Sequence, residues 1–85
     1  MQQGRNRLRI RLYGRLVDAI GRETEVDALD GSTIAEVRQL LGARYPGAIE
    51  TLRRSRACVG DRVAADDSRL SASDILEFLP PVSGG

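Results

Sequence analysis

The clearest structural signal in this chain is the start of a helix at Thr33. Thr33 and Glu36 have the spacing of a capping box, in which each side chain bonds a backbone N–H of the first helical turn. Apolar residues follow at helical spacing and predict one buried stripe, formed by Ile34, Val37, Leu40 and Leu41. The polar residues between them, among them Arg38, are expected to face water. Pro46 ends the pattern, so the fold must be built around one main helix.

Two extended segments precede this helix. In the first, apolar residues alternate with basic or aromatic ones, which predicts a strand with Leu8, Ile10 and Leu12 facing inward and Arg9, Arg11 and Tyr13 facing outward. Gly14 ends this strand, and a short helical turn with one apolar side is expected before Gly21. The second extended segment covers residues 23–29, with Val26 as its inward residue.

Shorter elements follow the main helix. A helical segment at residues 47–54 places Ile49 and Leu52 on one side. A strand pattern at residues 57–63 is interrupted at Gly60, which predicts a hairpin turn or a bulge.

The last strand covers residues 75–79 and leads into a distinctive C-terminal segment. If Leu76 and Phe78 point into the core, Leu79 lies on the opposite face of the sheet. Two prolines then stop the sheet and favour an extended exit, and two glycines end the chain, so the tail consists of Pro80, Pro81, Val82, Ser83, Gly84 and Gly85.

The order of these elements describes an α+β fold in which a small mixed sheet packs on one main helix. With 85 residues, the chain has room for a single domain. We divide it into a flexible N-terminal segment at residues 1–7, a domain at residues 8–79 and an extended, flexible tail at residues 80–85.

The composition excludes most enzyme chemistry. The chain has no histidine and no lysine, since all 13 cationic residues are arginine, and its one cysteine is Cys58. It therefore cannot form a Ser/His/Asp or Cys/His nucleophile, a zinc site of the usual kind or a Schiff base. Cys58 is expected to be a small core or half-buried residue, and Asp61, Asp66 and Asp67 lack the spacing of a calcium loop. We predict no metal site, no bound cofactor and no enzyme activity of the chain by itself.

The charge pattern does not indicate nucleic acid or a membrane as a partner. The net charge is +1, and the arginine-rich first strand has no interleaved aromatic residues on which bases could stack. A solvated strand face is the simpler interpretation. Because the chain has neither a secretory leader pattern nor a long apolar stretch, we expect a soluble, cytoplasmic protein.

Four segments carry a resemblance to a known family: residues 8–14, 32–37, 43–47 and, above all, 77–85. In these segments the chain resembles the small, sulfur-carrying subunits of molybdopterin synthase (MoaD) in the MoaD/ThiS family of ubiquitin-like sulfur carriers. The resemblance implies a ubiquitin-like β-grasp fold.

The resemblance also implies a chemistry located at the C-terminus. An ATP-dependent adenylating enzyme would convert Gly85 to an acyl-adenylate, and a sulfur donor would then give a thiocarboxylate. Gly84 and Gly85 have no Cβ, which would let the tail enter a narrow channel. The implied partner is a large synthase subunit that holds the catalytic side chains and adds sulfur to a pterin precursor, in a complex of two small and two large subunits.

The contacts implied with the large subunit lie on the last strand, the tail and nearby outer positions. They are Tyr13, Val63, Leu79, Pro80, Pro81, Val82 and Ser83. Three alternatives stay open: a carrier for thiazole formation in thiamine synthesis, a ubiquitin-like modifier joined to other proteins, and a plain interaction domain whose tail has no chemistry.

Overall fold

The computed structural model describes residues 5–82 of the chain. The elements of this part, in chain order, are β1 Arg5–Leu12, α1 Arg15–Ala19, β2 Glu23–Leu29, α2 Ile34–Arg44, a 3₁₀ turn Pro46–Ala48, α3 Ile49–Arg54, β3 Arg56–Val59, β4 Arg62–Val63 and β5 Ile75–Leu79.

The strands form one mixed sheet in the order β2-β1-β5-β3-β4. The first and last strands, β1 and β5, are parallel neighbours at its centre, and all other neighbours are antiparallel. Helix α2 packs on one face of the sheet, and no helix within residues 5–82 covers the other face. This arrangement is the ubiquitin-like β-grasp, so the fold class predicted from the sequence is confirmed.

The core lies between α2 and the sheet and is almost entirely aliphatic, with Phe78 as its one buried aromatic ring among the described residues. Its members are Leu8, Ile10, Leu12, Leu16, Val26, Ala28, Ile34, Val37, Leu41, Ala48, Leu52, Ala57, Leu70, Leu76 and Phe78. The inward alternation predicted for the first and last strands is therefore confirmed.

The start of α2 is confirmed in atomic detail. The Glu36 N–H donates to the Thr33 hydroxyl at 3.2 Å, and the Thr33 N–H donates to the Glu36 carboxylate at 2.8 Å. The stripe predicted on α2 is correct except at Leu40, which is 43% exposed. Leu40 lies at the side of the buried stripe, next to the open edge of β2, because a 3.6-residue period turns it away from the line of Ile34 and Leu41.

Two other predictions need correction. Strand β1 begins at Arg5, before the apolar alternation starts at Leu8, because β2 supplies an antiparallel partner as far as Leu29. Residues 5–7 therefore belong to the sheet and not to a flexible segment. The segment predicted as one helix at residues 47–54 is the 3₁₀ turn Pro46–Ala48 followed by α3; Ile49 and Leu52 line the same cleft, but Ile49 is 45% exposed whereas Leu52 is buried.

The predicted turn at Gly60 is confirmed. It joins β3 to β4 in a hairpin that pairs Val59 with Arg62, and Gly60 has a φ of 64°. This left-handed conformation is strained for residues that carry a Cβ, which explains the glycine.

Candidate functional site

The base of the tail lies at the centre of the sheet. Strand β5, between β1 and β3, ends at Leu79, and Pro80 follows in a half-buried position. Neither Pro80 nor Pro81 has an N–H with which to continue the hydrogen-bond ladder, so the chain leaves the sheet here. Val82 is 88% exposed. Residues 80–82 therefore lie outside any strand or helix, and the extended exit stays a prediction.

Gly14 determines how the tail begins. It has a φ of +57°, and a Cβ built on it would lie 3.0 Å from Cγ of Pro80. A side chain at this position would both strain the backbone and push Pro80 away. The sequence placed Gly14 at the end of a strand, but its contact with a proline far along the chain could not be read from local pattern.

A cleft lies along the first three residues of the tail. Pro80, Pro81 and Val82 line it together with residues of two short helices, namely Arg15 of α1 and Glu50, Thr51 and Arg54 of α3. Two guanidinium groups thus lie beside the segment that leads to the C-terminus. Neither arginine could be recognised from the sequence as a neighbour of the tail, because α1 and α3 are brought together only by the tertiary fold.

The outer face of the sheet presents predicted partner residues beside the tail. Leu12 pairs with Phe78, so the next residues, Tyr13 and Leu79, are neighbours, and Leu79 pairs on its other side with Arg56. Tyr13 is 40% exposed and Leu79 38%. These residues form one row across β1, β5 and β3 at the end of the sheet where the tail begins.

A second row adjoins the first. Glu77 of β5 pairs with Cys58 of β3, and Cys58 pairs with Val63 of β4. Val63 is 65% exposed, and Cys58 is half-buried, as predicted. We call the surface of Tyr13, Leu79, Cys58 and Val63 the apolar patch. The structure therefore brings the predicted residues Tyr13, Leu79 and Val63 onto one continuous face.

Tyr13 is held in place by a short hydrogen bond. Its hydroxyl donates to the Glu77 carboxylate at 2.6 Å. This bond, followed by desolvation and by the negative charge of Glu77, raises the pKa of Tyr13 above its ordinary value of 10.0. The phenol is therefore neutral at physiological pH, and it can present its ring at the surface while its polar end is satisfied.

The other half of the outer face is charged and internally paired. Arg7 lies 3.4 Å from Glu25 and 3.6 Å from Asp27, and Arg9 lies 3.1 Å from Glu23. These side chains are exposed, as predicted for a solvated strand face, and such ion pairs contribute little to stability.

The sequence predicts that Arg38 faces water, and the structure shows that this prediction is wrong. Its side chain is only 16% exposed, and its guanidinium donates to the Leu52 carbonyl and, at 3.1 Å, to the Asp66 carboxylate. The same group lies 5.0 Å from the centre of the Phe78 ring. Arg38 thus joins α2 to α3 and to β5, just before the tail.

The remaining predicted site residues, Ser83, Gly84 and Gly85, lie outside the described residues. Within residues 5–82, no three histidine, cysteine, aspartate or glutamate side chains come together as a possible metal site. No helix in the same range is both long enough and apolar enough to span a bilayer.

The fold and the patch beside the tail define a β-grasp protein of the ubiquitin-like class. The ThiS family model matches residues 10–85, and the chain belongs to this family of ubiquitin-like sulfur carriers. No curated protein sequence matches the chain.

Solved structures support the fold at low sequence identity. Small archaeal modifier protein 1 (SAMP1) of Haloferax volcanii aligns with a TM-score of 0.82 and 22% identity, covering 94% of this chain and 100% of that one. A putative molybdopterin converting factor subunit 1 from Pyrococcus furiosus aligns with a TM-score of 0.80 and 17% identity, over 91% and 99% of the two chains. In a complex of subunits 1 and 2 of molybdopterin-converting factor from Helicobacter pylori, one chain aligns with a TM-score of 0.67 and 22% identity, over 93% and 99%.

Proposed function

We propose that this chain is the sulfur-donating small subunit of a molybdopterin synthase, with the Gly85 carboxyl group as its reactive end. The observation that carries the proposal is the position of the apolar patch. Leu79 belongs to the patch and is followed directly by Pro80, so a partner bound to the patch is already aligned with the tail. The family match, which extends to residue 85, supports a sulfur carrier of this kind.

The chemistry needs an activating enzyme. A C-terminal carboxyl group has a pKa of about 3.3–3.7, so at neutral pH it is an anion and a poor electrophile. Transfer of AMP from ATP to this carboxylate releases pyrophosphate and gives an acyl-adenylate. A donor at the oxidation level of sulfide then forms a C–S bond as the C–O bond to AMP breaks, and the product is a thiocarboxylate. Because the activating enzyme uses ATP, this proposal places the chain in the cytoplasm.

The chain itself contributes binding and presentation. Pro80 and Pro81 restrict the tail and reduce the entropy lost when a partner orders it. Gly84 and Gly85 permit passage through a channel that a Cβ would block. In this proposal, the large subunit holds the catalytic side chains and binds the pterin precursor that receives the sulfur. The complex contains two small and two large subunits.

The large subunit is expected to meet the apolar patch through a complementary apolar surface. Tyr13 supplies a fixed aromatic ring, and Leu79 and Val63 supply aliphatic contacts. Val82 and Ser83 continue the contact along the tail. The H. pylori complex of converting-factor subunits 1 and 2 supports a partner of this kind, because one of its chains has the same fold.

A second function is favoured by the similarity to an archaeal modifier. SAMP1 aligns with a TM-score of 0.82, against 0.80 for the Pyrococcus converting factor subunit, so fold similarity does not separate the two functions. In a modifier, the activated Gly85 carboxyl group would form an amide with a lysine of another protein. A carrier for thiazole synthesis would use the same thiocarboxylate with a different acceptor.

The acceptor can be identified in cells that lack this protein. Loss of molybdoenzyme activity, restored by the full chain but not by a chain that ends at Ser83, is the expected result. Restoration by the truncated chain would contradict the proposal. A requirement for thiamine would identify the thiazole carrier, and lysine adducts that carry the Gly84-Gly85 remnant would identify the modifier.

A further inference from the structure

In the described part of the chain, the edge of the sheet formed by β2 has backbone groups without a strand partner. Strand β2 is the outermost strand beside β1. Its even-numbered residues share hydrogen-bonded pairs with β1, as shown by the Leu12 N–H, which donates to the Arg22 carbonyl at 3.0 Å. Successive residues of a strand point their backbone N–H and C=O groups to opposite sides within the plane of the sheet. The N–H and C=O groups of Glu25, Asp27 and Leu29 therefore point away from β1, towards the free edge.

Part of this edge is already covered. The Arg44 guanidinium donates to the Glu25 carbonyl at 3.2 Å, and the Leu29 carbonyl accepts from the Ser32 N–H at 3.0 Å and from its hydroxyl at 2.7 Å. The N–H and C=O of Asp27 and the N–H of Leu29 have no hydrogen-bond partner among residues 5–82, and they form an open stretch at the end of β2. Such a stretch is a template for an added strand.

A groove of 540 Å³ runs along this stretch, between β2 and α2. Its apolar lining includes Leu29, which is 57% exposed, and Leu40, which is 43% exposed, with Ala43 beside them. Leu40 is the one exposed member of the apolar stripe predicted on α2, and its side chain lines this groove.

The charge around the groove is predominantly acidic. Asp27, Asp30 and Glu36 line it together with Arg69, whose guanidinium donates to the Gly31 carbonyl at 2.8 Å. Arg44 is a second cation on the same edge, at the Glu25 carbonyl. On the outer face, the acidic residues of β2 form ion pairs with arginines of β1, which lie on the β1 side of the strand. A strand added to the free side would place its own outward residues next to these acids.

We propose that the β2 edge binds an extended segment of a partner protein in which basic and apolar residues alternate. Strand β1 shows the required pattern, because Arg7 and Arg9 pair with acids of β2 on the outer face while Leu8 packs inward. On the free edge, the inward residues of the bound segment contact Leu40. A second copy of this chain does not fit, because two β2 edges would bring acidic residues together. The interaction is separate from the tail chemistry and does not depend on it.

A synthetic peptide tests this proposal directly. The probe is a fluorescently labelled heptapeptide in which arginine alternates with valine, titrated with the full chain and followed by anisotropy. Saturable binding is expected, with about tenfold or greater weakening by Leu40→Asp and no change for Val63→Asp at the opposite edge of the sheet. A matched peptide with glutamate in place of arginine should bind at least about tenfold more weakly.

Two further measurements separate strand addition from charge attraction and self-association. The same basic peptide, N-methylated at alternate residues along one edge, should lose binding, because its backbone can no longer donate to the Asp27 carbonyl. Equal binding of the methylated peptide, equal binding by Leu40→Asp, or no binding at all would overturn the proposal. Dimerisation of the chain through this edge, abolished by Leu40→Asp in sedimentation, would also overturn it.

Discussion

The hydroxyl of Tyr13 donates a 2.6 Å hydrogen bond to the carboxylate of Glu77, and this bond connects the two central strands at the base of the tail. Glu77 pairs in register with Arg11, so the bond runs diagonally across the sheet. It fixes the orientation of an exposed aromatic ring in the apolar patch. An interface that uses a ring held in this way loses little side-chain entropy when the partner binds.

The first prediction concerns the ionisation of Tyr13. In a Tyr45→Phe chain, Tyr13 is the one remaining tyrosine, and its phenolate absorbance should appear at a higher pH than that of free tyrosine. Glu77→Ala should move the transition back towards pH 10.0. Because the neutral phenol is favoured in the folded chain, the contribution of this bond to stability is present below pH 10.0 and is lost as the pH rises through the raised pKa. An unchanged transition in Glu77→Ala would refute this account.

The second prediction concerns Gly14. Both Gly14 and Gly60 have a positive φ, but a Cβ at Gly60 would meet no atom within 4 Å, whereas one at Gly14 would meet Pro80. Alanine should cost about 1–2 kcal/mol at Gly60 through backbone strain, and more at Gly14, because its ψ of −134° lies outside the left-handed helical region. At Gly14 the clash should add roughly 1 kcal/mol to the loss in free energy of unfolding, measured with urea.

The variant Pro80→Ala provides the control for Gly14, because it removes the Cγ that a new Cβ would meet. In that background the cost of Gly14→Ala should fall by the roughly 1 kcal/mol that the clash adds, while the cost of backbone strain stays. If Gly14→Ala costs the same in both backgrounds, the contact between Gly14 and Pro80 does not position the tail.

The third prediction concerns Arg38. Arg38→Ala should lower the free energy of unfolding by roughly 2–3 kcal/mol, because the Leu52 carbonyl loses a charged donor and Asp66 loses its partner. Arg53→Ala is the matched control: its ion pair with Glu50 is exposed, with side-chain accessibilities of 72% and 71%, and the change should stay within about 0.5 kcal/mol. Equal effects of the two substitutions in urea unfolding would contradict the role of Arg38.

The fourth prediction concerns the apolar patch. Val63→Asp should weaken binding to the large synthase subunit by about tenfold or more, because it buries an unpaired charge at the interface. Leu40→Asp introduces the same charge at another exposed apolar residue and should leave this binding unchanged. Isothermal titration calorimetry measures both, and equal weakening by the two variants would show that the patch is not the docking surface.

Much of the fold could be predicted because its signals are local. The capping box of Thr33 and Glu36 marks the helix start, and the alternation around Leu76 and Phe78 settles which side of β5 is buried. The turn at Gly60 is likewise encoded by a residue that tolerates a positive φ. Each of these patterns needs only neighbouring residues to be interpreted.

The errors arose where distant segments meet. Arg38 is largely withdrawn from solvent because α3 and the loop before β5 supply acceptors for it, and the sequence around it shows only a polar position on a helix. Gly14 matters because Pro80 lies against it. Leu40 is exposed because β2 is an edge strand with nothing beyond it in the described part of the chain. Site residues of this kind require the tertiary structure.

The most direct test of the central claim is an intact-mass spectrum of the chain after incubation with a molybdopterin-synthase-type activating enzyme, ATP and sulfide. We predict a mass gain equal to the exchange of one oxygen for one sulfur, located at Gly85 by fragmentation and dependent on ATP. An unchanged mass, with the activating enzyme shown to convert its own carrier and the Gly85 terminus shown to be intact, would contradict the sulfur-carrier account.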